Sequence, residues 1–195
     1  MYFYYSFKSL DIIKMGFEKI LHYDTIKLNN ISNQIEVGNC EIVVPYEKIS
    51  PSNWGKVYEK YVGQILEKEG FQVKYNGLNL GKLDGGIDLI AENDNLINLI
   101  QCKYLKGKIA KSKIDWILYR ASNKLFKTYK ISEKKLVFTL IVNNIDINFS
   151  KRIPKNFKLK FTDIEKVKYP WLQYYLDHNH IQDKIKLEFR EVRMN

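Results

Sequence analysis

Apolar and polar positions in the first half of the chain predict a helix followed by a strand. Between residues 54 and 69, apolar side chains recur every three or four positions, which is the spacing of a helix with one buried face. Ser52 or Asn53 would cap the first turn, and Gly70 would end the helix. Residues 71–75 then alternate as in a strand. The apolar face of the helix should therefore lie on a sheet that this strand begins.

A hairpin is predicted after a glycine-rich turn at residues 76–86. Residues 87–91 have the pattern of a strand, and after a tight turn the chain returns as a mostly apolar strand at 96–104. Side chains on a strand alternate with a period of two, so Gln101 and Lys103 should point from the same face.

The following apolar patterns complete a core of mixed helices and strands. Helical spacing runs through residues 112–129, and residues 136–142 form a continuous apolar run, typical of a strand that is buried on both faces. The order of elements is helix, strand, hairpin, helix and strand. This order predicts an α/β fold with a three-layer α/β/α core around a mixed sheet.

We divide the chain into three parts on this basis. Residues 1–50 are an N-terminal extension, residues 51–145 are the core, and residues 146–195 are a C-terminal extension that packs on the core. The extensions are predicted to contain a helix at 6–21, a strand or hairpin at 35–44, a short helix at 171–176 and a strand at 185–192.

The chain is strongly basic. Lysine and arginine outnumber aspartate and glutamate by 32 to 22, which gives a formal net charge of +10 and favours a polyanionic partner such as nucleic acid. A general bias towards Lys, Asn and Ile would also raise the charge, so an ordinary solvated charged face stays open as an alternative. The candidate phosphate contacts are Lys82, Lys106, Lys108, Lys111 and Lys113, with Lys151, Arg152 and Lys155 as a second patch.

Cysteine use and hydropathy exclude several other classes. Cys40 and Cys102 are too few for a disulfide framework and lack the paired spacing of a zinc site, which favours a reducing cytoplasm. Charged residues interrupt the aromatic N-terminus well before the roughly 18–20 apolar residues that a membrane span needs. We therefore expect no membrane partner.

The residues of the predicted hairpin suit phosphodiester hydrolysis. This reaction needs a divalent ion held by hard oxygen ligands, an activated water and a cation that offsets charge on the phosphate. Asp88 lies in the first strand, and Gln101 and Lys103 share a face of the second, so the three converge if the register is right. Glu59 on the preceding helix could add a second carboxylate. Asp84 competes with Asp88 but precedes the double glycine, so we assign it a turn or supporting role.

The motif Gly85-Gly86-Ile87-Asp88, followed after a hairpin by Gln101-Cys102-Lys103, resembles the PD-(D/E)xK restriction-endonuclease-like superfamily. The resemblance is to its Mrr-like branch, in which Gln replaces the Glu of the ExK motif. Glu59 matches the acid of the N-terminal helix in that branch. The resemblance covers about residues 52–142 and implies a restriction-endonuclease-like fold.

The resemblance also implies a role for each residue. Asp88 would bind Mg²⁺ directly, Gln101 and the backbone carbonyl of Cys102 would complete the ligand set, and Mn²⁺ would substitute. Lys103 would position the attacking water or steady the phosphate. Glu59 would orient Lys103 or a water in the outer coordination sphere, and the Cys102 side chain would pack in the core on the other side of the strand.

The predicted function is that of a metal-dependent DNA endonuclease with a restriction-like or DNA-processing role. Two alternatives stay open. One is a structure-selective repair or junction nuclease on the same scaffold, and the other is a catalytically inactive nucleic-acid-binding protein with the same fold. Nucleases of this kind often act as dimers, so a homodimer is also left open.

Overall fold

The computed structural model describes residues 21, 25–38, 42–110, 112–113, 116–117, 120, 134–149, 159–160 and 186–194. At residues 82, 135–136, 159–160 and 186–187 it describes the backbone alone. The predicted helix at 171–176 lies outside the described residues, as does the one at 6–21 apart from Leu21. Within the described part of the chain, no helix is both long enough and apolar enough to cross a bilayer.

The described strands form two sheets. The smaller, antiparallel sheet has the order β1-β2-β3, and the larger, mixed sheet has the order β4-β5-β6-β7-β9-β8. The strands are β1 (Ile26–Asn29), β2 (Gln34–Val37), β3 (Ile42–Pro45), β4 (Gln72–Tyr75), β5 (Leu89–Glu92), β6 (Leu96–Lys103), β7 (Lys135–Val142), β8 (Leu159–Lys160) and β9 (Lys186–Glu191). The helices are α1 (Pro51–Lys68), α2 (Asn76–Leu80) and α3 (Ile145–Asn148), with single 3-10 turns at Tyr46–Lys48 and Gly81–Leu83. Residues 112, 113, 116, 117 and 120 are also helical. The predicted mixed α/β fold is confirmed.

Helix α1 begins slightly earlier than the apolar spacing predicts. Ser50 caps it, because its Oγ accepts a hydrogen bond of 3.2 Å from the backbone N–H of Asn53. Ser52 and Asn53 lie inside the helix, so their prediction as caps was wrong. Pro51 explains the shift, since proline at the first helical position has its φ already set and no N–H to satisfy.

Helix α1 packs on one face of the large sheet. Its residues Tyr58, Val62 and Leu66 share a buried cluster with side chains of β4, β5, β6 and β7. The strand members of this cluster are Tyr75, Leu89, Ala91, Ile100, Cys102 and Ile141. The side chains between them in sequence point to the opposite face, and those of residues 99, 138, 140 and 142 are buried as well. The prediction of a strand buried on both faces is confirmed for residues 137–142.

The small sheet packs against α1 on another side of that helix. Val57 joins a buried cluster with Ile26, Ile35 and Val44. Gln64 of α1 binds the edge strand β1 of the small sheet. Its side chain accepts a hydrogen bond from the Ile26 N–H at 2.7 Å and donates one to the Ile26 carbonyl at 2.9 Å. The N-terminal extension thus contributes three strands, of which β1 was not predicted.

Residues near the end of the chain complete the large sheet. Strand β9 lies parallel to β7, and the Tyr58 hydroxyl of α1 donates a hydrogen bond of 2.9 Å to the Val192 carbonyl. The helix that carries Glu59 is therefore fixed to a segment 134 positions later in the sequence.

The predicted glycine-rich turn contains regular structure that positions the start of β5. Helix α2 and a 3-10 turn fill residues 76–83. The buried Asn76 side chain donates hydrogen bonds to the carbonyls of Ile87 at 2.7 Å and Asp84 at 3.2 Å. The Gly77 N–H donates to the Asp88 carbonyl at 2.7 Å. These bonds hold the chain in place on both sides of the double glycine.

Candidate active site

Asp88 and Gln101 face each other across two antiparallel strands. Leu89 pairs with Ile100, and the Asp88 N–H donates a 2.7 Å hydrogen bond to the Ile100 carbonyl, so Asp88 is opposite Gln101. Both side chains are buried, with exposed fractions of 3% and 4%. Lys103 is two residues beyond Gln101 at the end of β6, where its side chain is partly buried.

The Asp88 carboxylate accepts two hydrogen bonds from β6. Its Oδ2 accepts one from the Cys102 backbone N–H at 2.7 Å and one from the Gln101 side-chain amide. The same Gln101 Nε2 lies 3.5 Å from the Cys102 carbonyl oxygen. The Gln101 amide nitrogen thus lies near both the Asp88 carboxylate and the Cys102 carbonyl oxygen.

The Glu59 side chain extends from helix α1 towards Asp88, and its carboxylate lies over Gly77, where no side chain is in the way. A Cβ atom at Gly77 would lie 2.7 Å from Glu59 Oε2 and 3.3 Å from Asp88 Oδ1. Both carboxylates therefore touch the space that a side chain at Gly77 would fill. A glycine is needed there because any larger residue would compete with them.

Burial and neighbouring carboxylates raise the pKa of Glu59 and of Asp88. Burial raises the pKa of Glu59 to about 8, and the Asp88 carboxylate adds to the rise. Burial raises the pKa of Asp88 to about 7. The Lys103 ammonium lowers the pKa of both groups, so its charge lies close to both. Lys56 opposes the rise at Glu59, although less than Lys103 does. A cation between two carboxyl groups with raised pKa values would strongly favour their ionised forms.

Asp84 and Arg120 extend the site beyond the residues that the sequence singled out. Asp84 Oδ1 accepts a hydrogen bond of 2.7 Å from the Gly86 N–H and lies 3.4 Å from an Arg120 guanidinium nitrogen. Asp84 also raises the pKa of Asp88, because its carboxylate lies close to that of Asp88. Asp84 thus lies in the turn, as the sequence predicts. No sequence signal marked Arg120, since its place depends on the docking of its helix.

The oxygen atoms around Asp88 fit a hard divalent cation. The Gln101 amide nitrogen, which carries partial positive charge, already sits between Asp88 Oδ2 and the Cys102 carbonyl. Rotation of that amide by 180° would put its carbonyl oxygen in place of the nitrogen. The side chain can therefore either donate a hydrogen bond to Asp88 or present an oxygen to a cation. Among the described residues, no three His, Cys, Asp or Glu side chains form a metal cluster. A cation here would therefore need amide and backbone oxygens as well as carboxylates, all of which Mg²⁺ accepts.

The candidate phosphate contacts are only partly described. The side chains of Lys106, Lys108 and Lys113 are exposed. Lys111 and the second patch at Lys151, Arg152 and Lys155 lie outside the described residues, as does the side chain of Lys82. The exposed lysines follow directly on β6, which carries Gln101 and Lys103.

The raised pKa values predict that the metal-free protein loses stability as pH rises. A carboxyl group whose pKa is higher in the folded than in the unfolded state stabilises the fold below the unfolded pKa, and this contribution is lost as pH rises through the folded value. For Asp88 and Glu59 the loss falls between about pH 4 and 8. In EDTA we expect the melting temperature to fall by about 5 °C over this window.

Thermal melts of wild type and Glu59→Gln in EDTA, from pH 4 to 8.5, check this prediction. The variant should show a visibly flatter profile, because it lacks one of the two shifted groups. Wild type and Glu59→Gln profiles of equal slope would contradict the assignment of the shift to this pair.

Two comparisons relate the chain to known proteins. Over 110 residues it is 30% identical to the UPF0102 protein of Clostridium botulinum (strain Loch Maree / Type A3). This alignment covers 51% of this chain and 82% of the relative. No solved structure matches the chain. A family model described as "Restriction endonuclease" matches residues 56–181. This span contains both carboxylates, the glutamine and the lysine of the site, and on this match the chain belongs to the restriction endonuclease family.

Proposed function

We propose that this protein is a metal-dependent DNA endonuclease whose chemistry depends on Glu59, Asp88, Gln101 and Lys103. Family membership supports a nuclease and implies DNA as its substrate. The single observation that carries the finer proposal is that Glu59 and Asp88 border the same space over Gly77, beside Gln101 and within reach of the Lys103 charge.

The donor set supports a bound divalent cation. Asp88, Gln101 and the Cys102 carbonyl would hold it, with Glu59 in the outer coordination sphere. We infer Mg²⁺, with Mn²⁺ as a substitute, because the available ligands are oxygens. The ion would supply Lewis acidity and offset the negative charge that develops on the phosphate.

The chain's own residues would perform the remaining tasks. Lys103 is a compact ammonium whose charge lies near both carboxylates, so it can donate hydrogen bonds to the attacking water or to a phosphate oxygen. Glu59 faces the same space and can orient Lys103 or accept a proton from water. The exposed lysines after β6 would bind the phosphates on either side of the cleaved bond.

A catalytically inactive DNA-binding protein on the same fold is the second candidate. It accounts for the basic charge, but a binding protein has no need for a buried and a partly buried carboxylate beside a phosphate, since they repel the ligand. A structure-selective nuclease would use the same site, and cleavage of branched against linear duplexes separates it from a restriction-like enzyme.

The test is cleavage of supercoiled plasmid with Mg²⁺, Mn²⁺ or EDTA, by wild type and by Lys103→Ala. We expect nicking with either metal, none in EDTA, and a rate about a hundredfold lower in the variant, which is the usual contribution of a positioned proton donor. Lys74→Ala is the matched control, because Lys74 is an exposed lysine on β4. Equal nicking by wild type, Lys103→Ala and Lys74→Ala would contradict the proposed site, and plasmid binding without nicking by wild type would favour the inactive protein.

A further inference from the structure

Large apolar side chains are exposed on the segments that border Asp84. Among the described residues, five large hydrophobic side chains are strongly exposed, and three of them lie on the two segments that border Asp84. These three are Leu80, Leu83 and Trp116, which we call the apolar rim, and their exposed fractions are 41%, 77% and 51%. The other two, Ile31 and Ile147, lie on other segments.

The ion pair between Asp84 and Arg120 joins the two segments of the apolar rim. Leu83 directly precedes Asp84, whose Oδ1 lies 3.4 Å from Arg120. Trp116 and Arg120 are both helical and four residues apart, which puts them on one side of their helix. Gly86 brings the segments together, because a Cβ there would lie only 3.3 Å from Arg120 Cβ. Leu83 and Trp116 thus flank the carboxylate that supports Asp88.

The backbone under the apolar rim is held by hydrogen bonds. The Asp84 N–H donates to the Gly81 carbonyl at 3.1 Å, and the Asp84 carbonyl accepts from the buried Asn76 side chain at 3.2 Å. Leu80 and Leu83 therefore project from a fixed turn. The backbone that carries them is thus ordered before any ligand binds, which lowers the ordering cost of binding.

The surroundings of the apolar rim favour a nucleic-acid ligand. The exposed Lys113 is on the same helical segment as Trp116, and the chain carries a net charge of +10. Among the residues that the structure describes, the rim has three apolar side chains, fewer than a stable protein interface of about 800 Å² on each partner uses. When a phosphate lies at Asp88, the nearest apolar groups of DNA are the bases and sugars of the adjoining nucleotides.

We propose that the apolar rim is a wedge that holds open an unstacked base step beside the cleaved phosphate. Apolar side chains inserted between bases unstack them and kink the duplex, and an aromatic ring stacks on a displaced base. DNA that is already bulged or mispaired at that step has less stacking to lose. The substrate class is thus duplex DNA with a local distortion, and this inference rests on the proposed DNA-binding site.

The test compares a fluorescently labelled duplex that contains a two-nucleotide bulge with the fully paired duplex of the same flanking sequence. Affinities are measured by anisotropy with Ca²⁺ in place of Mg²⁺, so that cleavage plays no part. We expect wild type to bind the bulged duplex about tenfold more tightly, and Leu83→Ser combined with Trp116→Ser to bind both equally. Ile31→Ser is the control, because Ile31 is 98% exposed on a turn of the small sheet.

A second signal reports the wedge directly. A 2-aminopurine base next to the bulge should brighten on binding wild type and stay dim with the double variant. Equal affinity of wild type for the two duplexes, or a preference that survives in the double variant, would overturn the wedge. So would a change from dimer to monomer in the double variant with unchanged DNA preference, which would make the rim a contact between copies. A preference for the bulged duplex without any cleavage in Mg²⁺ would contradict the proposed nuclease activity and support the proposed wedge.

Discussion

An Asp88→Asn variant will cleave DNA at least about a thousandfold more slowly than wild type, corresponding to about 4 kcal/mol of lost transition-state stabilisation. The replacement keeps the shape of the side chain and one acceptor oxygen for the N–H groups of β6, but it removes the charge that holds a cation. Because burial already disfavours the ionised form of Asp88, the variant should not be less stable than wild type in EDTA.

The measurement is single-turnover cleavage in Mg²⁺ together with a thermal melt and DNA binding in Ca²⁺. Asp94→Asn serves as control, because Asp94 is exposed in the turn between β5 and β6 and should leave the rate unchanged. A folded Asp88→Asn protein that retains more than about a tenth of the wild-type rate would remove Asp88 from the proposed site.

A Gly77→Ala variant is expected to lose more than about a hundredfold in cleavage rate, although Gly77 itself carries no chemistry. The added methyl would lie 2.7 Å from Glu59 Oε2 and 3.2 Å from the Asp88 Cα. The Glu59 side chain can move away, but it then leaves Asp88. The Asp88 backbone cannot move freely, because its N–H and carbonyl are bonded to Ile100 and Gly77. We expect the free energy of unfolding to fall by about 2 kcal/mol from this overpacking.

The matched control is Gly55→Ala on helix α1, where a Cβ would meet nothing within 4 Å. That change should raise stability by about 0.5–1 kcal/mol through helix propensity and leave cleavage unaffected. Rates and melting temperatures of the two variants are compared side by side. A fully active Gly77→Ala enzyme would contradict the proposed approach of Glu59 to Asp88.

The core of the site could be read from the sequence because it depends on local periodicity. Asp88 and Gln101 are placed by one hairpin, and a period of two then fixes which side chains of β6 share a face with Lys103. All residues from 137 to 142 except Thr139 are apolar, which is typical of a strand buried on both faces. The body of the long helix before the hairpin was equally clear, because an apolar stripe runs through residues 54–66, although its first turn was missed.

The parts that the sequence did not predict depend on distant contacts. Helix α2 contains Asn and Gly, which are poor helix formers, and it is held by bonds from Asn76 and Gly77 to the chain around Asp88. Arg120 meets Asp84 across 36 positions, and no periodic pattern connects them. Strand β1 is only four residues long and is fixed by Gln64 of α1. Propensity carries no information about such partners.

The burial of the Cys102 thiol limits its reactivity. It lies in β6 between the two side chains proposed for catalysis, yet it points into the cluster beneath α1 with only 4% exposure. Burial, with the nearby Asp88 and Glu59 carboxylates adding to the effect, raises the pKa of Cys102, so almost none of it is the reactive thiolate. Oxidants and alkylating reagents can reach the sulfur only when the sheet opens. The thiol of Cys102 is therefore protected from oxidation for as long as the packing around it lasts.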